Sequence, residues 1–522
     1  MQKQSSTFNI ASLKKDLPAG LVVFLVALPL CLGISLASGA PLFAGLITGI
    51  VGGVVVSMLS GSALSVSGPA AGLTVIVLNG IQSLGSFEAF LLAGLIAGFL
   101  QLVLGFAKAG IIGLYFPSSV IRGMLAAIGL ILIIKQIPHF LGANEHLLGE
   151  MSFFWADGKN TFSEIRRGFN SMEKGALIIG LFALLILVIW ESKPLQRISF
   201  FKLVPGALVA VIASVFLNQA FNIFNPDLFI ADTHMVQLPV VASPVEILGE
   251  LRLPDFSQIT NPQIYITAFT IAIIASLETL LSVEAVDKLD PYKRITPPNR
   301  ELKAQGIGNI VSALLGGLPM TAVIVRSSAN VNAGGQTKLS SFVHGILLLL
   351  SVLFLSEYIN HVPLSALAAI LLMVGFKLTK PALYKAQWRL GTEQFIPFII
   401  TILAILFTDL LKGITVGLVI GIFYILRANY KSPFFFQKNR DLGEDIIRIQ
   451  LSENVTFLNK ASIVLTLDHL PENSNVIIDG SKSTFIDYDV LDAIHNFKFN
   501  ASAKNLKVEL IGIPEVTSVV SH

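Results

Sequence analysis

The sequence predicts an all-α polytopic membrane protein with about fourteen spans and a small cytoplasmic α/β domain at its C-terminal end. Three observations predict it. Of 522 residues, 53% are hydrophobic and only 13% are charged, against about 25% charge in ordinary globular domains. From Leu17 to about Tyr430, apolar runs alternate with short polar joints. After residue 440, charge becomes dense and the apolar runs shorten. A chain this long and this poor in charge could not coat a soluble surface, and it is too apolar to stay disordered. The mean hydropathy is +0.75.

Residues 1–17 are polar and carry Lys3, Lys14 and Lys15. No small-residue cleavage site follows a short apolar core, so the first apolar stretch reads as a span and not as a removable signal. A span needs about 20 apolar residues. The membrane domain, 18–430, then divides into stretches near 18–38, 42–60, 64–83, 88–107, 118–140, 174–192, 203–222, 263–286, 302–316, 320–334, 338–356, 363–376, 393–409 and 412–428. The shortest are 302–316, 320–334 and 363–376. Short segments interrupted by Gly or Pro in corresponding halves of a transporter point to its binding site.

The joints orient the chain. With the N-terminus inside, joint 287–303 is cytoplasmic and holds Lys288, Lys293, Arg294, Arg300 and Lys303. Joint 377–389 holds Lys377, Lys380, Lys385 and Arg389, and joint 191–202 holds Lys193, Arg197 and Lys202. Joint 223–262 falls outside, with Arg252 alone against Asp227, Asp232, Glu246, Glu250 and Asp255. Joint 141–173 is mixed. An even number of spans returns the chain to the cytoplasm, where Arg427, Lys431 and Lys438 follow. The expected place is the cell (inner or plasma) membrane, with both termini cytoplasmic and lipid around the spans.

In the tail, 440–522, strands are expected at Ile446–Ile449, Ser462–Leu465, Asn475–Ile478 and Val508–Ile511, with a helix over Asp489–Phe497. The tail has 12 acids and 7 bases, so the net +3 of the chain splits into −5 there and +8 in the rest. No basic–aromatic patch suggests nucleic acid. The eight His show no metal spacing, and lone Cys31 reads as packing. Gly480-Ser481-Lys482-Ser483-Thr484 lacks the full spacing of a phosphate loop. No catalytic constellation marks an enzyme, and no cofactor or metal is expected other than sodium.

Ionisable residues inside apolar spans are costly. Glu278 lies within Ile273–Ser282, and Ser282 shares its helix face one turn on. The pair suits a sodium ion, or Glu278 a proton; the bland alternative is a structural carboxylate. Glu284, Asp287 and Asp409 sit at span ends, where solvent contact is expected. Arg326 follows Gly316-Gly317-Leu318-Pro319, a break after which a helix is expected from about Met320, with Arg326 nearly two turns deeper. Exposed N–H groups at such a start, with a positive side chain, make an anion site; an Arg paired with a buried acid is the alternative. Val66-Ser67-Gly68-Pro69-Ala70-Ala71-Gly72-Leu73-Thr74 is a matching break in the first half. Two half-helices starting at breaks in opposite halves suggest an inverted repeat, their N-termini facing each other at mid-membrane. Packing kinks are the alternative.

Val26–Gly39, Ser67-Gly68-Pro69, Asn299–Asn309 and Asn330–Gly335 together resemble signatures of the SulP family of inorganic anion transporters, and the tail resembles that family's STAS domain. The resemblance implies a seven-plus-seven inverted repeat, with spans 1–4 and 8–11 as a core domain and spans 5–7 and 12–14 as a gate. It places a small inorganic anion near Ser67, Gly68, Pro69 and Ala70 and near Thr321, Ala322, Val323 and Arg326. It also implies alternating access and a homodimer. The sodium-dependent bicarbonate transporters look most similar: Glu278 and Ser282 match their sodium positions, with Thr321 beside them. Their acid is typically Asp, whereas Glu occurs in proton-coupled relatives, and Ala70 stands where many members have Thr. Bicarbonate coupled to sodium is therefore the first expectation, and sulfate, or another small anion or dicarboxylate, coupled to protons the second. An exchanger, channel or voltage-responsive element on the same fold comes from another class. In the tail, Tyr488 and Asp489 stand where related regulators carry a phosphorylated Ser, so no such switch is expected.

Overall fold

The computed structural model describes residues 10–515 apart from 112–116, 144–171, 193, 199–200, 202–203, 231–233, 241–248, 409, 432–433, 442–443, 457–458, 473 and 502–504. Lys3, Lys193, Lys202, Asp232, Glu246, Asp409 and nearly all of joint 141–173 therefore lie outside the described residues. The chain forms two compact units, 1–417 and 418–522.

The first unit is helical. In order it runs α1 (Ile10–Ala37), α2 (Leu42–Val51, continued by a π turn to Val56), β1 (Ser67–Pro69), α3 (Thr74–Leu84), α4 (Phe87–Phe106), α5 (Ser118–Leu141), α6 (Lys174–Trp190) and α7 (Gly206–Phe224). The second half runs α8 (Pro262–Leu289), α9 (Pro298–Leu314), β2 (Met320–Ala322), α10 (Ile324–Asn332), α11 (Leu339–Phe354), α12 (Leu364–Leu378), α13 (Pro381–Arg389) and α14 (Thr392–Phe407), and α15 (Leu410–Lys431) starts in this unit and continues into the second. Among the described residues, eight helices are long and apolar enough to cross a membrane, and four shorter apolar helices accompany them. The chain is thus a multi-pass membrane protein.

One expectation needs correction. Met320–Ala322 is not the start of a helix but a strand, and α10 begins at Ile324. Arg326 consequently sits in the first helical turn instead of nearly two turns in. Pro319 disfavours helical geometry before it, and the residues after it find ladder partners in β1. The pairing is antiparallel, with Ser67 opposite Ala322, Gly68 opposite Thr321 and Pro69 opposite Met320. In a membrane interior, irregular backbone persists only where protein satisfies it. Each break supplies the hydrogen bonds that the other lacks.

The helices pair in a pattern that survives exchange of the halves. α1 packs on α11 as α8 packs on α4; α2 packs on α11 as α9 packs on α4. Glycines allow both close approaches. A Cβ added at Gly306 would lie 2.8 Å from the Gly98 carbonyl oxygen, and one added at Gly98 would lie 2.8 Å from that of Gly306. The counterpart pair is Gly53 and Gly345, where an added Cβ would come within 2.5 Å and 2.7 Å of the facing backbone. Gly306→Val should therefore overpack the α4–α9 seam at about 1–3 kcal/mol. A melting midpoint in detergent lowered by a few degrees would register it; an unchanged midpoint would mean that the seam is loose.

The start of α11 is also tied to α1. Asp16 accepts hydrogen bonds from the backbone N–H of Gln336 (2.6 Å) and Thr337 (3.0 Å) and from the Thr337 hydroxyl (2.5 Å).

The second unit carries a four-stranded sheet in the order β3 (Phe434–Asp441), β4 (Glu444–Leu451), β6 (Asn475–Asp479), β8 (Lys507–Ile511). β3 is antiparallel to β4, and the other pairs are parallel. The short β5 (Asn454–Val455) and β7 (Phe485–Ile486) pair separately. The strand expected at Ser462–Leu465 is instead helix α16 (Lys460–Asp468). Ile463 and Leu467, four apart, are both buried; the run of three apolar residues after Ser462 does not by itself distinguish the two periods. The expected helix is α17 (Tyr488–Asn500), capped by Asp487, whose carboxylate accepts from Asp489 N–H at 3.0 Å.

Asp479 ends β6 with its carboxylate buried. Hydrogen bonds from Ser481, together with Arg448 at 2.5 Å, pull its pKa down to about 2. Because the folded pKa is depressed, its stabilisation is present above about pH 4, the unfolded value, and is lost as pH falls toward 2. Asp479→Asn should speed amide exchange of Val476–Ile478 in the full chain at neutral pH, consistent with about 1 kcal/mol. The difference from the parent should vanish at about pH 2; a difference independent of pH would contradict the assignment.

Candidate functional site

The two strands place two helix starts back to back. β1 leads through Ala70 into the turn Ala71–Leu73 and then α3, and β2 leads through Val323 into α10. Neither Ala70 nor Val323 offers a side-chain cap. The first N–H groups of α10 are therefore left to a ligand or to water, whereas before α3 Leu73 N–H donates to Ala70 O and Thr74 N–H to Ala71 O.

Amide and hydroxyl side chains hold this crossing in place. Asn309 of α9 accepts from Met320 N–H at 2.6 Å and donates to Met320 O at 3.2 Å. Gln305 donates to Ser67 Oγ at 2.6 Å and to the buried Glu301 carboxylate at 3.1 Å. Ser327 accepts from Val66 N–H at 2.9 Å, while Val323 N–H donates to Val66 O at 2.9 Å. Thr279 of α8 accepts from Ala322 N–H at 3.3 Å. Rare charges and helix breaks do not single out Gln305, Asn309, Ser327 and Thr279. For three of them a signal exists: Gln305, Asn309 and Ser327 are polar side chains in segments too short to span.

The sequence-predicted residues fall into two clusters at the crossing. Ser67, Gly68, Pro69 and Ala70 face Thr321, Ala322 and Val323 across it, all but Val323 buried. Arg326 is fully buried, its Nη2 donating to Pro69 O at 3.4 Å. A Cβ at Gly68 would collide with Arg326 Nη1, so only glycine leaves the guanidinium its place. Glu278 meets the other helix start. Gly72 N–H, in the turn before α3, donates to its carboxylate, and a Cβ at Gly72 would lie 2.6 Å from both carboxylate oxygens. Glu278 Oε2 has no partner among the described residues. Ser282, one turn on, is half-buried. No hydrogen bond joins Ser282 or Thr321 to Glu278 among the described residues; Thr321 Oγ1 donates to Ala322 O at 3.2 Å. Glu284 is exposed and holds Lys288 at 2.6 Å, while Asp287 accepts from Thr296 N–H and its hydroxyl, each at 2.7 Å.

A cavity of about 1020 Å³ opens at the C-terminal ends of α1, α3 and α5, lined among others by Ala37, Ala40, Leu78, Phe87, Gln136 and His139. Its lining stops short of Ala70 and Thr321.

A model of the Sulfate permease family matches residues 13–401. The putative sulfate transporter YvdB of Bacillus subtilis is 30% identical over 80% of this chain and 75% of its own length. The bicarbonate transporter BicA of Picosynechococcus is 25% identical over 80% of this chain and 71% of its own length. In structure, the transmembrane domain of a cyanobacterial BicA superposes with a TM-score of 0.63 at 23% identity, covering 80% of this chain and 98% of that one. The murine solute carrier 26 member A9 anion transporter in its inward-facing state gives 0.75 at 18% identity, covering 99% and 91%.

Proposed function

The chain belongs to the Sulfate permease family, whose members are membrane transporters and not enzymes, and on that premise we propose that it is a secondary active transporter of a small inorganic anion, working by alternating access. The observation that carries the reading is the open start of α10, which meets the turn before α3 at the crossing beside a buried Arg326. The anion sits between Ala70 and Thr321–Val323, where backbone N–H groups and one guanidinium offset its charge, with the Glu278 carboxylate held at the turn before α3. α1–α4 and α8–α11 form the core domain of a seven-plus-seven inverted repeat. α5–α7 with α12, α14 and α15 form the gate, and α13 joins α12 to α14. The exchangeable helix pairings support this division. The cavity at the ends of α1, α3 and α5 is one vestibule to the site. The chain lies in the cell membrane as a homodimer with both termini cytoplasmic, and the tail is a STAS-like domain supporting the dimer.

The leading pair is bicarbonate with sodium. Sodium would lie at Glu278, Ser282 and Thr321, the positions that match those of sodium-dependent bicarbonate transporters, and the BicA relatives are bicarbonate transporters. A second reading, sulfate with a proton on Glu278, is favoured by one observation: a backbone N–H, unsuited to face a cation, points at that carboxylate. Uptake of labelled bicarbonate and sulfate into proteoliposomes, with sodium and pH gradients varied separately, tests both. Sodium-driven bicarbonate uptake is expected first. Uptake indifferent to sodium but driven by acid outside would select the second reading, and uptake of neither anion would contradict both.

A further inference from the structure

A run of buried amides joins the helix that carries Glu278 to the strand beside the anion site. Gln101 of α4 and Asn309 of α9 are both buried. Asn309 Nδ2 donates to Gln101 Oε1 at 2.6 Å, and Gln101 Nε2 donates to Ser276 Oγ of α8 at 3.2 Å. At its other end Asn309 grips both the N–H and the carbonyl of Met320, the first residue of β2. The bonds run in one direction. Because Asn309 Oδ1 accepts from a backbone N–H, its Nδ2 must donate, and that leaves Gln101 one orientation.

A buried amide is costly unless its links are made, and once made they fix its neighbours in place. Here the neighbour is α8, which packs on both α4 and β2. Ser276 and Thr279, three apart, share one side of that helix. Thr279 accepts from Ala322 N–H at 3.3 Å, at the far end of β2. Both ends of the strand are thus tied to α8, Ala322 directly and Met320 through Asn309 and Gln101. Glu278, on another side of α8, meets the turn before α3.

We propose that Gln101 is a positioning residue: acting through Ser276 and Asn309, it holds α8, and with it the Glu278 carboxylate, in register with β2, so that a cation or proton at Glu278 changes how tightly the anion is held. One ligand alters the affinity of another only through a structural difference that both sites bias. The joined pair of α8 and β2 is an element that both sites touch. This consequence rests on the proposed places of anion and coupling ion; the amide link itself does not.

Melting midpoints in detergent test the link. Ser276→Ala lowers the midpoint by a few degrees in the parent but adds little beside Gln101→Met, which has already broken the same bond. Additive losses would overturn the link. Anion affinity, read as anion-induced thermal stabilisation, tests the role. It is measured for bicarbonate at fixed pH with and without sodium, and for sulfate at two pH values. In the parent, sodium or acid raises the affinity about tenfold. In Gln101→Met that ratio falls to about threefold or less, while the affinity without the coupling ion changes little. An unchanged ratio, with or without a general loss of affinity, would mean that Gln101 is only structural and would overturn the positioning role. If Gln101→Met does not fold, Ser276→Ala, which leaves the bond between Gln101 and Asn309, carries the same expectation, and Gln101→Leu replaces it in the melting cycle. A parent that binds neither anion, or whose anion affinity ignores sodium and pH alike, would fault the transport reading, and the melting cycle would still decide the link.

Discussion

Replacing Glu278 with Gln should leave the protein folded and able to bind its anion, yet unable to accumulate it. The side chain is half-buried at the turn leading into α3, with its Oε2 shut off from solvent and Gly72 N–H as its partner. Glutamine keeps the shape and an accepting oxygen but can neither ionise nor hold a cation with a full charge. Coupling between two ligands is commonly worth 1–3 kcal/mol. Gradient-driven accumulation should therefore fall about 10- to 100-fold, while exchange of labelled for unlabelled anion at equilibrium persists. Undiminished accumulation under every gradient would remove Glu278 from the coupling step.

The second large effect is expected at Arg326. Arg326→Gln removes the positive charge at the crossing and shortens the side chain behind Gly68. Truncating one partner of a buried charge pair costs about 2–5 kcal/mol, so anion affinity should fall by roughly 30-fold or more. The loss should appear in KM for uptake and in anion-induced thermal stabilisation alike. Arg326→Lys should recover only part of it, because a compact ammonium cannot reproduce the planar fork. An affinity unchanged in Arg326→Gln would mean that the helix starts alone hold the anion.

Much of this was legible in the sequence. Glu278 and Arg326 stood out because a membrane interior makes charge rare, and the breaks at Ser67–Pro69 and Gly316–Pro319 announced interrupted helices. Two things were not legible. The pairing of β1 with β2 joins residues some 250 positions apart, and no local pattern reports such a partner. Without it, the extended backbone at Met320–Ala322 looked like the first turn of a helix. The acceptor shortage around Arg326 was equally hidden. Arg326 follows a Gly-Pro break, and its neighbours in sequence do not report that Nε and Nη1 find no partner among the described residues. In the tail, Ser462 and the three apolar residues after it fit a strand as well as a helix, and only the burial of Ile463 with Leu467 decides.

The central claim, an anion held at the crossing and exposed to each side in turn, is tested most directly by one thiol. Val323 precedes α10 and is half-buried, whereas the chain's own Cys31 is fully enclosed. In vesicles of known orientation, Val323→Cys should react with a membrane-impermeant thiol reagent from either face. Saturating transported anion should slow the reaction about tenfold, with the parent as blank. Reactivity confined to one face, or a rate indifferent to the anion, would contradict the account.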